Sequence, residues 1–105
     1  MRIRKEKTLF QEDTEIIARA SDALAHPLRV ELFKFIYQEN MQRRKPCTKT
    51  LVEHFGYSQS TISQHMNVLT GSKLVEVQKE KSFSYYFVNI GMLGKYLDAV
   101  KKINQ

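Results

Sequence analysis

Residues 48–73 read TKTLVEHFGYSQSTISQHMNVLTGSK and carry the clearest structural pattern in this sequence. Apolar residues recur at helical spacing on both sides of Gly56, which predicts two short helices joined by a tight turn. Glycine suits the left-handed residue that ends a helix, and Ser58 is a natural N-cap because its hydroxyl accepts hydrogen bonds from the amides of the next turn. We therefore predict helices over residues 48–55 and 59–72.

The second of these helices has an unusual surface. Ile62, Met66 and Leu69 form a narrow apolar seam with Val68 beside it, whereas the other side is polar but nearly uncharged. Amides and hydroxyls can hydrogen-bond to base edges in the DNA major groove, and a helix without acidic residues does not repel phosphates. A solvated polar face is the alternative interpretation. The residues predicted to contact double-stranded DNA are Ser58, Gln59, Ser60, Thr61, Ser63, Gln64, His65 and Asn67.

A β-hairpin is predicted after the helix pair. Residues 74–78 and 83–89 are rich in branched and aromatic residues, and the charged tip between them, residues 79–82, reads KEKS. Such a tip can lie along the DNA backbone or enter the minor groove, where cations are favoured. The alternative is an ordinary charged turn. The predicted contacts at the tip are Lys79, Lys81 and Ser82.

Three further helices are predicted around this centre. Helical spacing predicts one over residues 9–24, and Pro27 both breaks it and begins a second, which runs to about Gln38 with Arg29 facing outward. The last is predicted over residues 90–103. Its apolar seam is long for the end of a small domain and indicates an exposed patch that needs a partner.

Composition narrows the classes of function. The chain has 105 residues, enough for one domain with its own core, and a net charge of +6 with a pI near 9.6, which favours a polyanionic partner. A single cysteine excludes a disulfide scaffold. No signal-peptide pattern or membrane-length apolar run is present, so we expect a cytoplasmic protein with no membrane partner.

Together these motifs resemble a known family. The stretches ALAHPLR at 23–29, SQSTISQHMNVL at 58–69, KLV at 73–75 and the Tyr85-Tyr86 pair are similar to the arsenic-resistance-regulator (ArsR-type) winged-helix repressors. The resemblance covers roughly residues 10–100. It implies a mainly α winged helix-turn-helix fold, with four helices, a two-stranded antiparallel wing and a fifth helix.

The resemblance also implies a function. It implies a homodimeric transcriptional repressor that binds a two-fold operator and that a ligand can release. The first and last helices would form the dimer interface. The residues expected there are Leu9, Phe10, Ile16, Ile17, Leu93, Tyr96, Leu97, Val100 and Ile103.

The metal sites of that family are not expected in this chain. Cys47 lacks a second thiol near the third helix, and the last helix offers Asp98 but no histidine. We therefore predict no metal and no cofactor, and the sequence does not identify an effector. Cys47 could instead be a redox-sensitive thiol activated by Lys45 and Lys49, or it could be inert. The histidines fall on three predicted elements: His26, His54 and His65.

An enzyme and a protein-interaction module are two other classes of function for a chain of this size. An enzyme is not expected, because no nucleophile–base pair, glycine-rich phosphate loop or paired carboxylates stand at useful spacing. A winged helix that binds another protein through its apolar terminal helices remains an alternative. It differs from a DNA-binding protein in predicting no salt-sensitive binding to duplex DNA.

Overall fold

The computed structural model describes residues 9–105, and the predicted basic tail of residues 1–8 lies outside them. The predicted fold, mainly α with one antiparallel hairpin, is confirmed. None of the described helices is both long and apolar enough to cross a membrane. The elements in chain order are α1 (Leu9–Ala23), α2 (Pro27–Met41), α3 (Thr48–Phe55), α4 (Gln59–Gly71), β1 (Val75–Glu80), β2 (Phe83–Val88), α5 (Ile90–Lys101) and a 3-10 turn (Lys102–Asn104).

Short-range signals set the ends of the helix pair. Gly56 closes α3 with φ 77°, a left-handed conformation in which glycine avoids the strain of a Cβ. The Ser58 hydroxyl accepts from the Thr61 amide at 3.2 Å and caps α4. The left-handed residue after α4 is Lys73, with φ 73°, although Gly71 stands two residues earlier.

Helix α2 extends three residues beyond the predicted Gln38 and ends at Met41. The extra turn presents Asn40 to the hairpin. The Asn40 Oδ1 accepts from the Val88 amide at 2.8 Å, and its Nδ2 donates to the Tyr86 carbonyl at 3.3 Å. These hydrogen bonds to β2 explain why the polar residues after Gln38 remain helical.

The first strand extends two residues beyond its predicted end, and the turn is tighter than predicted. Lys79 pairs with Ser84 and Glu80 pairs with Phe83, so only Lys81 and Ser82 remain in the turn. Lys81 takes the left-handed conformation, with φ 56°. The predicted four-residue tip is therefore wrong. The shorter turn was missed because Lys81-Ser82 is not a pair such as Asn-Gly, which marks a two-residue hairpin turn.

The core lies between α2, α3, α4 and the hairpin. Phe33 of α2 is buried in this core. Burying a large aliphatic side chain contributes about 1.5–3 kcal/mol, so this cluster is the main source of stability. The largest fully buried side chains are Leu32, Ile36, Leu51, Ile62, Met66, Leu69, Leu74 and Val75.

Helices α1 and α5 pack against each other beside this core. The Tyr96 hydroxyl lies 3.1 Å from the Ser21 hydroxyl, and Lys102 forms an ion pair of 3.0 Å with Asp13. Ala99 is buried at this contact. The pair thus joins the two ends of the described chain into one layer.

Candidate nucleic-acid interface

Helix α4 buries its apolar seam and presents its polar side to solvent. Ile62, Met66 and Leu69 are buried, as predicted. Thr61, Ser63 and His65 are half-buried at the flanks of the helix. The exposed polar residues of the helix and its cap are Ser58, Gln59, Ser60, Gln64 and Asn67.

A cleft of about 590 Å³ separates α4 from the hairpin. The structure brings several predicted contact residues together at this cleft, although they are distant in sequence. Its lining includes Gln59, Ser63 and Asn67 from α4 and Lys79 and Ser82 from the hairpin. Ser60 and Gln64 do not line the cleft and lie on the outer side of the helix.

The charges of the hairpin are divided between its two faces. Lys79 lies on the face that lines the cleft, next to its strand partner Ser84. Glu80 points the other way, and its carboxylate lies 3.4 Å from Lys45 Nζ, which also stands 4.6 Å from the centre of the Tyr85 ring. Alternation along a strand therefore leaves a cation, and not a carboxylate, on the cleft side.

Three residues beside the predicted contact residues were not predicted to belong to this surface. Thr48 and Lys49, at the start of α3, line the same cleft, and the Thr48 hydroxyl lies 3.0 Å from the Tyr86 hydroxyl. Val68 was assigned to the side of the apolar seam, but it is 37% exposed. An exposed apolar side chain on this helix can contact a thymine methyl group. Helical-wheel geometry could have found Val68, whereas only the tertiary fold brings α3 to the hairpin.

His65 lies on the flank of α4 that packs toward α2. Its Nδ1 lies 3.1 Å from a terminal nitrogen of Arg29, and its ring centre lies 4.6 Å from that of His26. The prediction that Arg29 faces outward is wrong, because its side chain turns toward α4 and the end of α1. Burial, followed by the nearby His26 and Arg29, lowers the pKa of His65 below its ordinary value.

Cys47 caps the start of α3 and bridges to the hairpin at Tyr85. Burial acts to raise the pKa of the thiol, but hydrogen bonds from the Thr50 hydroxyl and the first amides of α3 outweigh it, and the pKa of Cys47 is lowered. Hydrogen bonds, and not the charges of Lys45 and Lys49, therefore lower the pKa of Cys47. Within residues 9–105 no group of three or more histidine, cysteine or acidic side chains is arranged to hold a metal ion.

The positions predicted for a dimer interface fall into three groups. Leu93 and Tyr96 pack partly against the core of their own chain, and Ile16 and Ile17 are half-buried. The side chains of Leu9 and Phe10 lie outside the described residues. The remaining positions are exposed: Leu97 at 56%, Val100 at 39% and Ile103 at 70%.

The fold and this surface define a class of protein: a winged helix-turn-helix domain with a polar helix exposed beside its wing. A helix-turn-helix domain family matches residues 24–78. The nodulation protein NolR of Rhizobium meliloti is 30% identical over 92 residues, covering 88% of this chain and 71% of NolR. The arsenical resistance operon repressor of Bacillus subtilis (strain 168) is 36% identical over 67 residues, covering 64% of this chain and 60% of the repressor.

Solved structures agree with this assignment. An ArsR-like transcriptional regulator from Rhodococcus sp. RHA1 superposes with a TM-score of 0.74 at 22% identity, covering 92% of this chain and 84% of that one. A homodimeric winged helix-turn-helix DNA-binding domain from Mycobacterium bovis gives a TM-score of 0.68 at 19% identity, with 95% and 90% covered. The chain belongs to the ArsR-type winged helix-turn-helix family of DNA-binding transcriptional regulators.

Proposed function

We propose that this protein acts in the cytoplasm as a homodimeric repressor that binds a two-fold operator, with α4 as its recognition helix in the major groove. The observation that carries the proposal is the exposed, uncharged polar side of α4 beside a cleft lined by Lys79. A helix of this length fits the major groove and reaches base edges from its N-terminal part. Two recognition helices related by a two-fold axis would contact half-sites about one helical turn apart.

The side chains divide into two roles. Gln64 and Ser60, on the outer side of α4, would read base edges, because an amide can form two hydrogen bonds with adenine. Lys79 and Lys81 on the hairpin, with Lys49 at the start of α3, would contact phosphates on either side of the cleft. Phosphate contacts of this kind make affinity fall steeply with salt.

Dimer formation is supported by the apolar surface of α5. Ile90 and Leu97 lie seven residues apart on one side of the helix and are 57% and 56% exposed. Val100 extends this surface. The Mycobacterium bovis domain of the same fold is a homodimer, which also supports a dimer here.

Fluorescence anisotropy tests the division of roles. Duplexes selected from a random pool would be compared with scrambled duplexes. Gln64→Ala should lose about 1–3 kcal/mol of discrimination between the selected and scrambled duplexes. Lys81→Ala should weaken binding to both, and it should reduce the salt slope, the fall of log affinity with log salt concentration, by about one. Gln38→Ala, an exposed glutamine on α2, is the matched control and should change neither quantity.

The outcome separates the DNA-binding proposal from its rival. An equal loss on selected and scrambled duplexes for Gln64→Ala would remove the base-reading role from α4. If the wild-type protein bound no duplex in a salt-sensitive way, the protein-interaction interpretation would replace DNA recognition altogether.

A further inference from the structure

Arg29 joins three helices through one side chain. Its Nε donates to the Ala23 carbonyl at 2.6 Å, and Nη2 donates to the Asp22 carbonyl at 3.4 Å, so the guanidinium binds the last turn of α1. Its Nη1 lies 3.1 Å from Nδ1 of His65 on α4. A cation at the C-terminal end of α1 is also favoured by the helix dipole. Arg29 itself belongs to the first turn of α2.

This arrangement requires a neutral His65. A guanidinium has donors and no acceptor, so Nδ1 of His65 must accept and the ring proton must lie on Nε2. The neighbouring His26 ring, 4.6 Å from that of His65, accepts from the Leu28 amide at 3.1 Å through its Nδ1. Protonating His65 would replace the hydrogen bond to Arg29 with two facing positive groups.

The groups that act on the charge of His65 are few. They are Arg29 from α2 and His26 from the link before it, and both disfavour a proton on His65. Asp22 presents its backbone carbonyl to Arg29. Helix α4 carries no other titratable side chain. The charged groups on both elements that contact the His65 ring therefore disfavour its protonation.

We propose that Arg29 is a positioning residue that holds the recognition helix α4 against the end of α1 through a neutral His65, and that protonation of His65 releases this connection. The inference rests on the proposed function, which assigns base reading to α4 and dimerisation to α5, the helix against which α1 packs. In a dimer the separation of the two recognition helices depends on how firmly each α4 is held to the dimer helices. Loss of the connection should therefore reduce discrimination between sequences, without removing a phosphate contact.

The free protein provides the first test. Long-range proton–nitrogen NMR correlations should show His65 as the Nε2–H tautomer with a pKa below the ordinary value for histidine. Arg29→Met should raise the pKa of His65 toward that value, because a cation and a hydrogen-bond donor are lost. Arg19→Met, an exposed arginine on α1, should leave it unchanged. An Nδ1–H tautomer, or a pKa of His65 that Arg29→Met does not move, would overturn the connection.

Operator binding provides the second test, at about pH 8 and at about pH 5, well below the ordinary histidine pKa because the pKa of His65 is lowered. The wild-type preference for selected over scrambled duplexes should fall about tenfold at the lower pH, the size of one charge-assisted hydrogen bond. In His65→Asn the amide oxygen can accept from Arg29 and cannot be protonated, so its preference should not change with pH. His54→Asn, an exposed histidine on α3, should keep the wild-type pH dependence.

The salt slope distinguishes positioning from direct contact. Arg29→Met should lower the preference about tenfold at pH 8 with the salt slope unchanged. A slope reduced by about one would identify Arg29 as a phosphate contact and overturn its positioning role. If Arg29→Met does not fold, His65→Asn decides. A duplex preference that still changes with pH in His65→Asn would overturn the proposal, whereas a preference that no longer changes with pH would support it. If wild type shows no preference at pH 8, the proposed function fails, while the NMR experiment still decides the connection.

Discussion

Cys47 shows how one hydroxyl can control the chemistry of a thiol. The Thr50 hydroxyl lies 3.4 Å from Cys47 Sγ and accepts from the Cys47 amide at 3.3 Å. Together with the first amides of α3, it stabilises the thiolate more than burial disfavours it, so the pKa of the thiol is lowered. Thiolates, and not thiols, are the reactive form toward alkylating agents and oxidants.

Thr50→Val should therefore slow the alkylation of Cys47 near neutral pH. The substitution keeps the branched shape but removes the hydroxyl, so the pKa of the thiol should rise and the midpoint of the rate–pH curve should move to higher pH. Iodoacetamide labelling followed by mass spectrometry measures this curve. Thr48→Val is the control, because the Thr48 hydroxyl contacts Tyr86. Equal midpoints for wild type and Thr50→Val would assign the low pKa to the helix amides alone.

At the residue scale, the sequence predicted buried apolar positions better than polar partners. Ile62, Met66 and Leu69 followed directly from helical periodicity. The turn of Arg29 toward His65 could not be predicted, because these residues are 36 positions apart and meet only when α2 packs against α4. An arginine outside an apolar stripe is ordinarily solvated, and only the free carbonyls at the end of α1 give it a reason to turn inward.

At the element scale, Asn40 anchors the hairpin to α2. Its amide group makes hydrogen bonds with the Val88 amide, the Tyr86 carbonyl and the Arg44 carbonyl. One side chain thereby satisfies backbone groups of β2 on the side opposite β1, where residues 9–105 supply no further strand. The position of the hairpin relative to α4, and so the width of the cleft, depends on this anchor.

Asn40→Ala should lower the free energy of unfolding by about 1–3 kcal/mol, because the Val88 amide loses its acceptor in a partly buried place. Urea denaturation followed by circular dichroism measures the change. Gln38→Ala removes an exposed amide from the same helix and should change the free energy of unfolding by less than about 0.5 kcal/mol. Similar losses in the two variants would show that helix propensity, and not the anchor, is responsible.

The types of the elements could be predicted from sequence, whereas some of their ends could not. Gly56 and Ser58 carry their own turn chemistry, and α3 and the start of α4 were predicted to the residue. The hairpin turn at Lys81 was not predicted, because lysine has no preference for left-handed geometry. Pairing between the strands supplies the energy that holds Lys81 there, and pairing is not visible in a short window of sequence.

At the scale of the whole molecule, the chain is extended for its length. Its radius of gyration is 15.7 Å, compared with about 13 Å for a typical globular domain of this size. Helices α1 and α5 lie to one side of the core, and Ile90 and Leu97 of α5 and Ile103 of the following 3-10 turn are exposed. A second copy of the chain would remove this apolar surface from water.

Leu97→Lys should therefore weaken the proposed dimer, raising its dissociation constant by about 30-fold or more, as expected for a charge placed in an apolar interface. Sedimentation velocity over a concentration series measures this change. Asp98→Lys introduces the same side chain at the next position, turned away from Leu97, and should leave the assembly unchanged. A wild-type protein that is monomeric at every concentration would contradict the proposal.

The packing of α1 against α5 has a consequence for how the chain acquires its structure. The helix pair α3–α4 is built from contacts between near neighbours in sequence, which form quickly. The α1–α5 layer joins residues as far apart as Asp13 and Lys102, and it cannot close until nearly all of the described chain has left the ribosome. We therefore expect the helix pair α3–α4 to become ordered first during synthesis, and the α1–α5 layer to become ordered last.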